Sequence, residues 1–66
     1  MHMGRRLRKR LKELNRPQSW LAKALKRTRQ EVHQLVRRPS WQGRTITKVA
    51  AAVEVDPAYF FAPGTD

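Results

Sequence analysis

The sequence predicts an all-α protein, a compact bundle of five short helices. Apolar residues recur at three- and four-residue spacing in four successive segments, with a capped, proline-started stretch behind them. No segment alternates at period two beyond the brief Val53-Glu54-Val55, which argues against a sheet. There is no cysteine, so neither a disulfide framework nor a thiolate metal site can brace the core. A chain of 66 residues makes one domain. It buries only about 60% of the surface exposed when unfolded, so apolar packing must hold it with a thin margin.

The elements follow in order. Leu7, Leu11 and Leu14 form one helical stripe across residues 5–14, with Arg and Lys filling the other positions. Arg16-Pro17 ends that helix, since the residue before proline leaves the α region, and Pro17 suits the first turn of the next. The second helix runs from Gln18 to Leu25, with Leu21, Ala22 and Leu25 facing inward. Thr28-Arg29-Gln30-Glu31 reads as a capping box, opening a third helix over residues 28–37 on the stripe Val32, Leu35 and Val36. Arg38-Pro39 stops it, and Ser40 to Gly43 makes a loop. Ile46, Val49, Ala50 and Val53 form the stripe of an alanine-rich fourth helix. Asp56-Pro57 supplies an N-cap and a first-turn proline for a short last helix ending near Phe61. Phe60 and Phe61 are adjacent, so one caps the core and the other forms a patch for a second subunit to cover. The domain is expected over residues 4–62. Residues 1–3 are expected to be disordered or a remnant ahead of a start at Met3, and residues 63–66 to be a frayed tail.

Charge sets the class of partner. The net charge of +10 pulls the chain toward polyanions, with strongly salt-dependent binding, and makes nucleic acid the default ligand. The charge is also divided: residues 1–44 carry +12, and residues 45–66 carry −2. No apolar run approaches the roughly 20 residues that span a bilayer, and the basic N-terminus lacks the apolar stretch of a secretory signal. A soluble, cytoplasmic and nucleoid-associated protein with no membrane partner is expected.

Two short helices joined by about three residues, each with an inward stripe, follow the helix-turn-helix plan. Ala22 is small where the two must cross. Gln30, Gln34 and Arg37 lie opposite the core stripe of the third helix, with Arg29 and His33 at the flanks. Glutamine pairs bidentately with adenine and arginine with guanine, each discriminating by roughly 1–3 kcal/mol. Arg29, Gln30, Gln34 and then His33 are therefore the candidate base contacts. The competing explanation is a merely solvated helix face.

Residues 5–61 resemble the Cro and phage-repressor type of helix-turn-helix domain, the XRE-like or lambda-repressor-like fold. The resemblance rests on Gln18-Ser19-Trp20-Leu21-Ala22, on Thr28 through Leu35, on Ile46 through Val53, and on Val55-Asp56-Pro57-Ala58-Tyr59-Phe60-Phe61. It implies phosphate contacts from Gln18 and Thr28, and base contacts from Arg29, Gln30 and Gln34. Lys26 replaces the glycine usual between the two helices, so a left-handed turn there would cost about 1 kcal/mol. Arg37-Arg38 replaces the glycine usual after the third helix, and the first connection is shorter than typical.

The run Arg5, Arg6, Arg8, Lys9, Arg10 and Lys12 suits phosphate contact, a minor-groove arm or solubilisation, and Lys12 is taken as a phosphate contact. Arg37, Arg38 and Arg44 flank a loop expected along the DNA backbone and are further phosphate candidates. Trp20 and Trp41 are read as packing residues rather than stacking platforms. His2 and His33 are far apart and lack cysteine partners, so no metal site is expected. With no nucleophile-base pair, glycine-rich phosphate loop or paired carboxylates, no enzyme, cofactor or small-molecule ligand is expected. These observations point to a sequence-specific double-stranded DNA-binding transcriptional regulator, a repressor acting as a homodimer on half-sites about one helical turn apart. The rivals are an RNA- or ribosome-associated structural protein, a cationic membrane-active helix from residues 4–14, and the antitoxin or autoregulator of a toxin-antitoxin pair.

Overall fold

The inward stripes meet in one core. A computed structural model describes residues 2–60, and these form four α-helices and a 3₁₀ turn, with no strand among them. The helices are α1 (Met3–Glu13), α2 (Gln18–Leu25), α3 (Arg29–Arg37) and α4 (Gly43–Ala52), and the 3₁₀ turn is Pro57–Phe60. Leu7, Leu11, Leu21, Ala22, Val32, Val36, Ile46, Val49, Ala50, Val53 and Phe60 are all buried. Helix α2 packs on α3 and α4, α1 packs on α3, and the 3₁₀ turn closes against α4 and α1. Each fully buried Leu, Val or Phe contributes about 1.5–3 kcal/mol of transfer free energy. No helix of the described residues is long and apolar enough to cross a membrane.

Helix α1 begins earlier than its stripe suggested, which corrects the expectation that His2 and Met3 lie outside the fold. His2 is the N-cap, its Nδ1 accepting from the Arg5 N–H at 3.0 Å, and Met3 is buried in the core. First-turn amides have no partner within their own helix. Here the Met3 and Gly4 N–H groups donate to the carbonyls of Pro39, at 2.8 Å, and Arg38, at 3.0 Å. Gly4 permits the approach, because a Cβ there would overlap the Val36 carbonyl. Met1 and the tail expected over residues 63–66 lie outside the described residues.

Three helices stop in the same way. Asn15, Lys26 and Glu54 take left-handed conformations, with φ of 57°, 56° and 59°. Behind each, the next amide reaches back to the helix: Arg16 N–H to the Leu11 carbonyl at 2.9 Å, Arg27 to Ala22 at 2.8 Å, and Val55 to Ala50 at 3.0 Å. This is the Schellman arrangement, usually built on glycine. The sequence marked Lys26 as standing where glycine is usual, without fixing the hand of its turn, and it marked neither Asn15 nor Glu54. Pro17 is the N-cap of α2 rather than a first-turn residue. Gly43, expected in the loop, opens α4.

The last element is a single 3₁₀ turn rather than a fifth α-helix. The Asp56 carboxylate accepts from the Ala58 N–H at 2.9 Å, and Phe60 is fully buried. Its ring meets Trp41 at 5.0 Å and Tyr59 edge-on at 5.1 Å between centroids. Trp41 also donates its indole N–H to the Leu35 carbonyl at 2.9 Å, and so packs as expected. The predicted end at Phe61 lies outside the described residues.

Arg6 and Arg10 leave the basic run that was expected on the surface. Arg6 is only 6% exposed and donates to the Tyr59 carbonyl at 2.7 Å. Arg10 donates to the Val53 carbonyl at 3.0 Å and pairs with Glu13 at 3.8 Å. The last carbonyls of a helix lack internal partners and carry partial negative charge, so guanidinium groups satisfy them.

Candidate nucleic-acid interface

The start of α3 is fixed by side chains. Thr28 Oγ1 accepts from the Glu31 N–H at 3.1 Å, and the Thr28 N–H donates to Glu31 Oε1 at 3.2 Å. This is the expected capping box. The Thr28 hydroxyl also donates to Glu31 at 3.1 Å, so a phosphate must compete for that donor. The Thr28 amide and hydroxyl, and then the charge of Arg27, hold the Glu31 carboxyl below its ordinary range. Arg27 lies 3.3 Å from it.

One stripe of α3 is buried and the other is not. Val32 and Val36 enter the core and Leu35 is half-buried, while Arg29, Gln30, His33, Gln34 and Arg37 are exposed. Ala22 is 3% exposed behind them, as a close helix approach requires. The exposed edge presents carboxamide donors and acceptors, guanidinium forks and an imidazole.

This edge has two different flanks. Arg29, Gln30 and His33 share a groove with Pro17, Gln18 and Ser19 at the start of α2. Gln34 and Arg38 line a groove on the other side, with Arg27, Thr45 and Lys48. The structure thus brings Gln18 together with three of the four candidate base contacts and sets Gln34 on the opposite flank. Lys12 joins Gln18 in a third groove, between α1 and α2. Arg37 is exposed in the last turn of α3, and Arg44 in the first turn of α4. No side chain caps α2 or α4, in contrast to α1 and α3.

Comparison with protein-family models, curated proteins and solved structures found no match.

The grooves include three residues that the sequence reading passed over. Arg16 lines the α1 groove, and Arg27 and Lys48 line the groove beside Gln34. Arg27 had a signal, being four residues before Glu31, the spacing of a helical ion pair. Lys48 had one too, one turn beyond Arg44. Arg16 had none, because its position depends on the left-handed turn at Asn15. No group of three or more His, Asp or Glu side chains among the described residues is placed to hold a metal ion.

Proposed function

We propose that the protein is a sequence-specific double-stranded DNA-binding regulator, a repressor of the Cro and phage-repressor type. In this reading α2 and α3 act as a helix-turn-helix, and α3 enters the major groove. The observation that carries it is the exposed edge Arg29, Gln30, His33, Gln34 and Arg37, backed by buried Val32 and Val36 on a chain of net charge +10. A merely solvated face has no need of a capped helix start with two glutamines, flanked on one side by a groove that Arg27, Arg38 and Lys48 share with Glu31. The major groove is about 12 Å wide and admits one helix, whose side chains meet the base edges.

The roles divide by chemistry. Arg29, Gln30, His33 and Gln34 contact bases, the glutamines suiting adenine and Arg29 guanine. Gln18, Thr28, Arg37, Arg38, Arg44 and Lys12 contact phosphates and set register without reading sequence. A homodimer doubles a small footprint and places two copies of α3 about one helical turn apart on a palindrome. Occupancy of such a site in the cytoplasm blocks a promoter.

Selection of bound duplexes from a random pool at near-physiological salt tests this reading. It should enrich a palindrome with half-sites about 10 base pairs apart, centre to centre. On the selected site, Gln30→Ala should relax preference at one base position by roughly 1–3 kcal/mol, whereas Arg38→Ala should weaken all sequences alike and lower the salt slope by about one. A pool that stays random, or two substitutions with the same effect, overturns it. Preference for structured RNA with no duplex site would favour the ribosome-associated rival.

A further inference from the structure

The cations of α1 sort into two sets by the helix face they occupy. Arg6 and Arg10 turn inward and bind the carbonyls of Tyr59 and Val53. Arg5, Arg8, Lys9 and Lys12 turn the other way and, with Arg16, line an open groove of about 560 Å³ between α1 and the start of α2. Leu11 and Pro17 contribute its apolar walls, and no acidic side chain lines it. The acid nearest in sequence, Glu13, pairs instead with Arg10. Five like charges around one concavity repel each other, and nothing lining the groove offsets them.

The groove does not end at α1. Pro17 and Gln18 line it and also line the groove beside Arg29, Gln30 and His33. The cationic groove of α1 therefore adjoins the candidate reading edge of α3 at Pro17 and Gln18, the uncapped start of α2. The amides of a helix start favour an anion, in the same sense as the side chains around it.

We infer that this groove seats the phosphodiester backbone of the duplex whose bases meet α3, so that the footprint runs from α3 over Gln18 to Arg8 and Lys12. The inference rests on the major-groove reading for its choice of polyanion. A strand leaving the major groove carries one phosphate per nucleotide, and a groove lined by five cations and no acid is complementary to it in charge. The groove carries no sequence information: it supplies affinity and salt dependence, while α3 supplies preference.

The test is titration of the intact protein with a selected duplex and a scrambled one over a range of NaCl concentrations. Arg8→Gln with Lys12→Gln should lower the slope of log affinity against log salt by about 1.8, near 0.9 per phosphate, equally for both duplexes. The ratio between the two duplexes should not change. Lys23→Gln with Lys26→Gln removes the same charge from exposed positions outside the groove and should leave the slope nearly intact. An unchanged slope in the first variant, or an equal drop in the second, overturns the inference. A measurement on the unmutated protein guards against misfolding: duplex should protect the Lys9 and Lys12 amines from acylation more than that of Lys23, and equal protection overturns it. The two readings fail separately. If α3 does not read bases, selected and scrambled duplexes bind alike while the slope difference persists. If the groove is unused, their ratio persists and the slope does not move. An RNA hairpin that binds through Arg8 and Lys12 more tightly than duplex would overturn the assignment to DNA.

Discussion

Thr28 and Glu31 determine where α3 starts, and their contribution has a pH signature. The carboxyl of Glu31 is held below its ordinary range chiefly by the Thr28 amide and hydroxyl, with Arg27 adding to them. A depressed carboxyl stabilises the fold fully above its unfolded pKa, about 4.3, and that stability is lost as pH falls through the lower folded value. Melts of the native protein and of Glu31→Gln, from about pH 6 to about pH 2, should therefore differ most at the upper end and converge in acid. Thr28→Ala removes the other half of the box and should cost about 1 kcal/mol. In a domain this small that is roughly 4–8 °C of melting temperature. A gap between native and Glu31→Gln that ignores pH would show that the carboxylate is not the stabilising group. This pair was legible because both members sit within one turn. The inward turn of Arg6 was not, because the carbonyl it binds belongs to Tyr59, at the far end of the chain.

Among elements, periodicity located all four helices, and the capping box placed the start of α3 at Thr28 as observed. Boundaries governed by distant partners were less legible. Two further residues of α1 depend on carbonyls at positions 38 and 39, and no local pattern announces them. The stops at Asn15 and Glu54 lack the glycine that marks such turns. The site showed the same division: the polar edge of α3 is a local pattern, whereas the placing of Arg16 beside Lys12 depends on the turn between them. The contact of α1 with α3 has one weak point. In an ordinary helix, replacing Gly4 by alanine would gain up to about 1 kcal/mol of propensity. Here the new Cβ meets the Val36 carbonyl, which is backbone and cannot swing aside. Overpacking of that kind costs about 1–3 kcal/mol and outweighs the gain. Gly4→Ala should thus lower thermal stability, and it should also loosen the segment carrying Arg37 and Arg38. An alanine variant as stable as the native protein would mean that α1 does not press on α3 in this way.

At the scale of the whole molecule, the described residues set 15 Lys and Arg against 4 acids within extents of 29 × 24 × 19 Å. The Debye length is about 30 Å at 0.01 M salt, as long as the particle itself, and only about 10 Å at 0.1 M. In dilute buffer the charges therefore repel across its full width, and each increment of salt relieves part of that repulsion. The opposing effect, screening of favourable pairs, is small, because exposed pairs such as Arg27 with Glu31 gain little in water. Repulsion dominates, so the melting temperature of the free protein should rise as NaCl goes from about 0.05 M to about 0.3 M. On the DNA-binding function proposed above, affinity for duplex should move oppositely over the same range, since phosphate contacts release counterions that added salt opposes. Bound duplex neutralises the same surface from outside, so the complex should melt higher than the free protein by most at low salt, with the gap closing as salt rises. Calorimetric melts of free and bound protein across the series would read both trends. A free-protein melting temperature that falls with NaCl would mean that ion pairs, not self-repulsion, govern the stability of this fold.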